Sequence, residues 1–331
     1  MGRRRGVAGL FVLVTTLVPA ACGSDKGAAR TDVKPAPPLA NPLVPPQELD
    51  EVMGSIFNVP SDPAIPPRLL NPASPEDAQD VVRSDNTALY DKADACLAAH
   101  LREHPDDVKN LTWHAQLFIA WADSALLTQR TLAGSVKKLE ARRAELEERL
   151  KDPALDATER EAQGESLKDV VHLADVTRRV LDKLGTLAEQ KKAVGKEKAL
   201  ALLAQHPESY EGFRLAADLY RVEEDWPRYE DAVVKLERLN PASNGLLFLK
   251  GVVAFQREKD YPAAESHLRE AVAKDPQFTK ARYYLALTYV NLHRAQDAKR
   301  SLEETLRASP GHPFANAVRA LVARMAKVKG M

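Results

Sequence analysis

The chain has 331 residues, of which 44% are hydrophobic and 28% charged, so it is long enough for one elongated or two compact domains and is not disordered. Lysine plus arginine and aspartate plus glutamate number 47 each, and this balance excludes a global field that would attract nucleic acid. Aromatic residues make up only 6%, whereas Ala, Leu, Glu, Lys and Arg recur throughout, which predicts an all-α fold.

Residues 1–21 are predicted to be an export signal. A basic start at residues 3–5 precedes an apolar stretch at residues 7–18, which is too short for a membrane span, and two alanines stand before Cys22. This order resembles the lipobox of bacterial lipoproteins, although Pro19 stands where that family usually has Leu. The resemblance implies that Cys22 is the acylated N-terminus of the mature protein, and palmitate is the type of modification expected. The alternative is an ordinary signal peptide in which Cys22 is incidental.

The residues around the two cysteines indicate the compartment. Gly23 and Ser24 follow Cys22 in place of the Asp that resembles an inner-membrane retention signal, so a lipid-anchored position at the outer membrane, facing the periplasm or the surface, is favoured. Cys96 then has no intrachain partner, and we expect a mostly buried free thiol in a helix.

Residues 22–77 are predicted to form a proline-rich tether. Twelve of the 22 prolines fall between Pro35 and Pro75, and such density favours extended, semi-rigid spacers. Within the tether, residues 47–57 place apolar side chains at helical spacing after a run of acids, which predicts a short amphipathic helix. That helix would dock either on the body of this chain or on a partner.

Prolines recur at a fixed period in the C-terminal part of the chain. Pro207, Pro241, Pro276 and Pro310 are 34, 35 and 34 residues apart. This period resembles that of tetratricopeptide repeats, in which two antiparallel helices pack on the next pair. The resemblance implies a helical-hairpin solenoid over residues 196–310, and it specifies a fold rather than a chemistry.

Residue sizes within the repeats support this interpretation. In the last repeat, Ala286 and Ala298 are predicted to lie where two helices cross closely, with larger apolar residues beside them. In the repeat before it, Gly251 is one residue out of register, and a one-residue insertion at the turn explains the 35-residue spacing. In the repeat ending at Pro241, Tyr229 occupies the usual small position, so we expect local reshaping there.

Residues 78–123 are predicted to be an N-terminal helical repeat region. Tyr90, Ala93 and Leu97 fit the second helix of one repeat, which leads to Pro105. The first helix of another repeat is indicated by Trp113, Ala115 and Phe118.

Residues 124–195 have a different character and predict an inserted antiparallel coiled-coil hairpin. Two heptad patterns flank a break at Asp152 and Pro153. Their apolar members are Leu132, Val136, Leu139, Leu146 and Leu150, then Leu167, Val170, Ala174, Thr177, Leu181, Leu184 and Ala188. The alternative is a set of degenerate repeats. Residues 311–331 are predicted to be a capping helix that covers the last apolar face.

One stretch suggests catalysis. Residues 100–104 match the H-x-x-E-H pattern of inverted zinc peptidases, with His100 and His104 as the two metal ligands. Pro105 ends the helix directly after His104, and no third ligand is evident, so the same stretch is explained by the end of a repeat. We expect no enzyme, no metal, no catalytic residue and no cofactor, and a zinc-dependent envelope enzyme is the alternative.

What remains is a surface for protein partners. In the repeat family, ligands usually lie in a concave groove lined by the first helix of each pair. The corresponding positions are Glu211, Arg214, Asp218, Arg221, Lys280, Tyr283, Leu287 and Asn291. Mixed charge with an aromatic residue suits an extended peptide or a partner helix.

The predicted function is therefore a lipid-anchored envelope scaffold or assembly factor that binds proteins or peptides, with membrane contact through the lipid and no nucleic acid. It resembles pilotin-type and outer-membrane assembly lipoproteins at the level of the fold. A purely structural protein that self-associates through the coiled-coil hairpin is a further alternative.

Overall fold

The computed structural model describes residues 67–84 and 87–308. The predicted signal peptide, Cys22, the segment 47–57 and the capping helix lie outside the described residues. Eleven α-helices occur in the described ranges, and no strand does. They are α1 (Pro67–Leu70), α2 (Pro75–Arg83), α3 (Tyr90–Glu103), α4 (Val108–Arg149), α5 (Ala157–Gln205), α6 (Tyr210–Glu223), α7 (Trp226–Leu239), α8 (Asn244–Val253), α9 (Tyr261–Lys274), α10 (Thr279–Asn291) and α11 (Ala295–Ala308).

The contacts divide the chain into two compact units. One contains residues 130–183, and the other contains the described parts of 56–129 and 184–331. The predicted hairpin boundaries at residues 124 and 195 fall inside α4 and α5, which are continuous helices. The all-α fold with tetratricopeptide-type helical pairs and a long inserted helical hairpin is confirmed.

The hairpin unit is packed largely through its predicted heptad positions, although Val176 and Val180 are also buried and were not among them. Leu132, Val136, Leu139 and Leu146 are buried on the first helix. On the second helix, the buried positions within this unit are Ala174, Val176, Thr177 and Val180. Arg178 donates to Glu140 across the pair at 2.7 Å. The apolar seam therefore joins the two helices, while the charged residues lie on their outer faces.

Capping residues explain where the repeat helices begin. Ser209 and Ser243 cap α6 and α8, and each hydroxyl accepts a backbone N–H three residues on, at 3.2 Å. The second helices α7 and α9 begin after Asp225 and Asp260, whose carboxylates accept equivalent bonds. Proline follows as the second helical residue in both, where its missing N–H costs nothing. The D-x-P pattern therefore starts α7 and α9.

The 35-residue repeat contains a π-helical turn at Ala254–Glu258, at the end of α8. In the flanking repeats the N–H that closes the first helix bonds to a carbonyl five residues back, from Asp225 to Tyr220 and from Arg294 to Tyr289. In the 35-residue repeat the equivalent bond from Asp260 reaches Ala254, six residues back. The extra residue is therefore absorbed as a bulge within the helix, close to the predicted turn.

Small residues allow the helices of a pair to approach closely. A Cβ built on Gly251 lies 2.6 Å from Leu268 Cγ, so α8 meets α9 at a distance that only glycine permits. Ala286 on α10 and Ala298 on α11 are fully buried, in agreement with the predicted close crossing. Tyr229 is buried in the same cluster as Ala217. The small residue at position 217 gives space for the tyrosine ring that replaces the usual small residue at 229.

The N-terminal helices α1, α2 and α3 pack against α4 in one apolar cluster. Tyr90, Ala93 and Leu97 on α3 are fully buried, as predicted. Tyr90 also makes an edge contact with Trp121 on α4, with ring centroids 5.7 Å apart. The N-terminal part of α4 thus takes the place of a first helix in a repeat pair, and the same helix continues into the hairpin.

Candidate functional site: the concave groove

A cavity of about 340 Å³ lies among the first helices of successive pairs, and we call it the concave groove. Helices α4, α6, α8 and α10 line it together with the end of α2. The lining residues are Val82, Arg83, Trp113, Gln116, Ala120, Tyr210, Glu211, Arg214, Asp218, Ser243, Asn244, Gly245, Phe248, Leu249, Asp275, Phe278 and Lys280. Its size falls at the lower end of the range for ligand pockets.

One wall of the groove is aromatic. Phe248 and Phe278 contact each other with ring centroids 4.8 Å apart. Two other lining residues also contact each other: the guanidinium of Arg83 lies 5.4 Å from the centre of the Trp113 ring, within the range of a cation–π contact. Trp113 and Phe278 are half-buried, so part of each ring is available to a bound molecule.

The other wall is polar, and its side chains hold one another in place. Arg214 donates to Glu211 at 2.7 Å and to Gln116 at 2.6 Å, and Gln116 donates in turn to Asp218 at 3.2 Å. Gly245 makes room for this arrangement, since a Cβ there would lie 2.5 Å from Arg214 Cδ. The polar wall is therefore preorganised by a chain of hydrogen bonds between α4 and α6.

The start of α8 contributes two further features. The hydroxyls of Tyr210 and Ser243 hydrogen-bond to each other, and burial raises the pKa of Tyr210. The side-chain oxygen of Asn244 is buried and has no hydrogen-bond partner among the described residues. An unpaired acceptor of this kind is completed by an N–H donor from a ligand or by water.

Four charged residues, which we call the ion cluster, lie at the inner end of the groove: Asp123, Asp218, Arg221 and Lys280. Arg221 contacts Asp218 at 2.7 Å and Asp123 at 3.0 Å. Lys280 forms a short ion pair with Asp123. The exposed fraction of these side chains runs from 2% for Arg221 to 12% for Lys280. Two acids and two bases from α4, α6 and α10 are thus buried together as a neutral set.

Attraction between the opposite charges of the ion cluster affects the pKa values of its members more strongly than burial does. Burial acts to raise the pKa of Asp123, but the charges of Arg221 and Lys280 outweigh burial and hold it well below its usual range. The pKa of Asp218 is lowered by the same balance. Burial acts to lower the pKa of Arg221, yet the two carboxylates raise it well above its usual value. Asp123, Asp218 and Arg221 are therefore charged near neutral pH.

The structure separates the predicted groove residues into three sets. Glu211, Arg214, Asp218 and Lys280 line the groove. Arg221 lies one turn beyond Asp218, buried in the ion cluster. The remaining three, Tyr283, Leu287 and Asn291, are half-buried further along α10 and are not among the lining residues.

Sequence reasoning missed the aromatic wall and the acidic partner of Lys280. Phe248 and Phe278 lie near helix starts, where they read as ordinary core residues. Asp123 is 157 residues from Lys280 in the chain, so the sequence carries no local signal for their contact. The sequence prediction placed groove residues along the full length of each first helix. It therefore identifies only part of the groove.

The H-x-x-E-H stretch lies at the end of α3. Helix α3 ends at Glu103, and His104 is the residue that follows it. His100 contacts Asp107 at 3.0 Å, and this hydrogen bond, together with bonds from Asn110, lowers the pKa of Asp107 to about 2. Within residues 67–84 and 87–308, no three His, Cys, Asp or Glu side chains are grouped so as to hold a metal ion.

Two further sequence features can be placed. Cys96 is a free, half-buried thiol on α3, and burial raises its pKa. Among the helices that the structure describes, none is both long and apolar enough to cross a membrane.

Comparison with known proteins places the repeats in a wider group. Residues 255–325 match the model of a tetratricopeptide repeat family. A thermophilic TPR protein of Thermus thermophilus is 15% identical, with 78% of this chain and 100% of that chain covered and a TM-score of 0.40. The TPR2AB domain of yeast Sti1 in complex with pHSP90 is 16% identical, with 76% and 98% covered and a TM-score of 0.32. Among functionally characterised proteins, none shows significant sequence similarity to this chain.

The matched residues include α9, which is the second helix of one pair, and the next pair, α10 and α11. Repeats of this type generally bind other proteins through their concave surfaces. The matched sequence and the capped helical pairs together show that the body of this chain has a tetratricopeptide-type fold suited to protein binding.

Proposed function

We propose that this chain is a lipid-anchored scaffold of the bacterial envelope that binds a segment of a partner protein in the concave groove. The composition of the groove supports the proposal that this chain binds a partner protein. It combines an aromatic wall, in which Phe278 is half-buried and Phe248 is buried, with a polar wall that is already ordered by hydrogen bonds. Apolar area with a few fixed polar groups is the usual character of a recognition site.

The groove offers both components of peptide recognition. The accessible part of Phe278 supplies an apolar surface for a ligand side chain, and Phe248 is buried against it. The unpaired side-chain oxygen of Asn244 is buried beside the groove and suits an N–H donor that reaches it. Arg214 is held in position by Glu211 and Gln116, so it loses little conformational freedom when a ligand arrives. These contacts favour a protein segment over a small charged metabolite.

The anchor part of the proposal depends on the lipobox-like order of residues before Cys22. A single acyl chain gives only marginal membrane binding, so stable attachment requires more than one chain at this residue. The proline-rich residues that follow would then hold the body away from the membrane surface.

Two cysteine variants test the anchor. Cys22→Ala is expected to move the protein from the membrane fraction to the soluble fraction, with the folded body intact by circular dichroism. Cys96→Ala is the matched control and is expected to stay in the membrane fraction, because Cys96 is half-buried on α3. Membrane retention of Cys22→Ala with an unmodified N-terminus would contradict the anchor.

Groove variants test partner binding. Co-purification from solubilised membranes is compared for the wild type, Arg214→Ala and Tyr283→Ala. Arg214 lines the groove and Tyr283 does not, so proteins that bind there are expected to be lost with the first variant and kept with the second. Equal recovery with both variants would show that binding does not use the groove.

A further inference from the structure

One charge in the concave groove has no partner of opposite sign among the described residues. Acids and bases line the groove in equal number: Arg83, Glu211, Arg214, Asp218, Asp275 and Lys280. Arg214 pairs with Glu211, and three of the others pair with residues outside the lining, which are Asp80, Arg221 and Asp123. Only Asp275 forms no ion pair with any residue that the structure describes. The described groove therefore has one uncompensated charge, and it is negative.

The carboxylate of Asp275 is fixed in position at the end of α9, where it is half-buried. Its Oδ1 atom accepts the backbone N–H of Gln277 at 2.9 Å, and no described residue donates a hydrogen bond to its Oδ2 atom. The neighbouring Lys274 does not neutralise it, because that ammonium donates to the carbonyl of Ala242 and pairs with Glu270 at 3.2 Å. Asp275 thus offers an ordered, charged acceptor to a ligand.

A second acceptor lies on the neighbouring turn. The side-chain oxygen of Asn244, the first residue of α8, is buried and unpaired among the described residues. The bond from Lys274 to Ala242 joins the end of α9 to the turn that precedes α8. The N–H of Phe278 donates to the carbonyl of Asp275 at 3.0 Å, and its ring contacts α8. Asn244, Asp275 and Phe278 are therefore held on adjacent turns that line the groove.

Two acceptors beside an aromatic ring match the chemistry of arginine. Its planar guanidinium carries five N–H donors in a fixed fork, so it can donate to a carboxylate and to an amide oxygen together. Its flat face also packs on an aromatic ring, which a lysine ammonium does not do in the same way. A glutamate would be repelled by Asp275 and would leave the oxygen of Asn244 unpaired. The cavity of about 340 Å³ has room for one arginine side chain.

We propose that the partner segment is anchored in the concave groove by an arginine side chain. Its guanidinium donates to Asp275 and, once the amide of Asn244 turns toward the groove, to the side-chain oxygen of that residue, with its face against Phe278. This inference rests on the proposed function of the groove and adds the chemistry of the partner. The groove therefore selects basic segments, although acids and bases line it in equal number.

Peptide mixtures test the arginine anchor on the purified, detergent-solubilised full-length protein. The probes are fluorescein-labelled peptides whose central residue is arginine, citrulline, lysine or glutamate and whose flanking positions are randomised. Citrulline keeps the shape of arginine and removes its charge. By fluorescence anisotropy we expect the arginine mixture to bind tightest, the lysine mixture more weakly, and the citrulline mixture at least about tenfold more weakly. The glutamate mixture is expected not to bind.

The substitution Asp275→Asn tests which residue reads the charge. Asn240 stands at the equivalent position at the end of α7, also before a proline, so this turn accepts asparagine. The variant is expected to bind the arginine and citrulline mixtures about equally, because it keeps the acceptor and removes the charge. Asp231→Asn on α7, where Asp231 is exposed and outside the groove lining, is the matched control and is expected to keep the wild-type preference.

Four outcomes would overturn the inference. They are equal binding of the arginine and citrulline mixtures by the wild type, lysine binding as tight as arginine, an unchanged preference in Asp275→Asn, and no binding of any mixture by folded protein. Failure here is distinguishable from failure of the proposed function. Partner loss with Arg214→Ala but no arginine preference would leave a binding groove without this anchor. Arginine preference that depends on Asp275, with unchanged partner recovery in Arg214→Ala, would support the anchor and count against partner binding in the groove.

Discussion

Removal of one acid from the ion cluster gives the sharpest prediction for stability. In Asp123→Asn, Arg221 keeps Asp218 as its only carboxylate partner, and Lys280 loses the ion pair that ties α10 to α4. At an effective dielectric constant of about 20, each opposite-charge pair about 4 Å apart contributes about 4 kcal/mol, and Asp123 makes two such pairs. The cost of burying the carboxylate and its repulsion with Asp218 offset part of this.

The expected net loss is about 3–5 kcal/mol in the free energy of unfolding, the range found when one partner of a buried ion pair is removed. Urea denaturation followed by circular dichroism measures it, and Asp231→Asn is the control because Asp231 is exposed on α7. The double variant Asp123→Asn/Lys280→Met restores neutrality and is expected to recover at least half of the loss. A loss below about 1 kcal/mol for Asp123→Asn would refute the view that buried charges hold these helices together.

Three further predictions concern packing, backbone and pH. Gly251→Ala is expected to destabilise the body by about 1–2 kcal/mol in urea denaturation, because the new Cβ meets Leu268. Gly164→Ala, in open space on α5, is expected to stabilise the protein by up to about 1 kcal/mol. A stability change of the same sign in both variants would contradict the close approach of α8 to α9. Lys259→Gly replaces a non-glycine residue that has a φ of 59°, and it is expected to stabilise the protein by up to about 1 kcal/mol. A lower urea midpoint of unfolding would count against backbone strain at residue 259. The carboxylates of the ion cluster have lowered pKa values in the folded protein. Their contribution to the free energy of unfolding is therefore complete above the unfolded-state pKa of about 4 and is lost as pH falls below it. Equal urea midpoints of unfolding at pH 3 and pH 6 would contradict this.

The repeat body was predictable from sequence because its signals are local and periodic. Proline spacing marks the pairs, and Ala286 and Ala298, predicted to lie where two helices cross closely, are fully buried. The one-residue excess in the 35-residue repeat was also visible, and it is absorbed as a π turn at Ala254–Glu258. The heptad positions of the long hairpin likewise predicted much of its buried seam.

The groove was only partly predictable, since it depends on how successive pairs are arranged in space. Equivalent positions on a first helix share a face, yet the cavity uses only the early turns and ends where Asp123 meets Lys280. Tyr283 shares the predicted face with Lys280 but lies outside the lining residues. A contact between residues 157 positions apart follows from the packing of several helices, which no local pattern encodes.

The most direct test of partner binding is photo-crosslinking from the groove in intact cells. A photoreactive phenylalanine analogue is placed at Phe278, which lines the groove, and in a parallel variant at Tyr283, which does not. We expect a covalent adduct with a partner protein from position 278 that is reduced by Arg214→Ala and is absent from position 283. The same adducts from both positions, or none from position 278 in folded protein, would contradict the claim that the concave groove is the binding site.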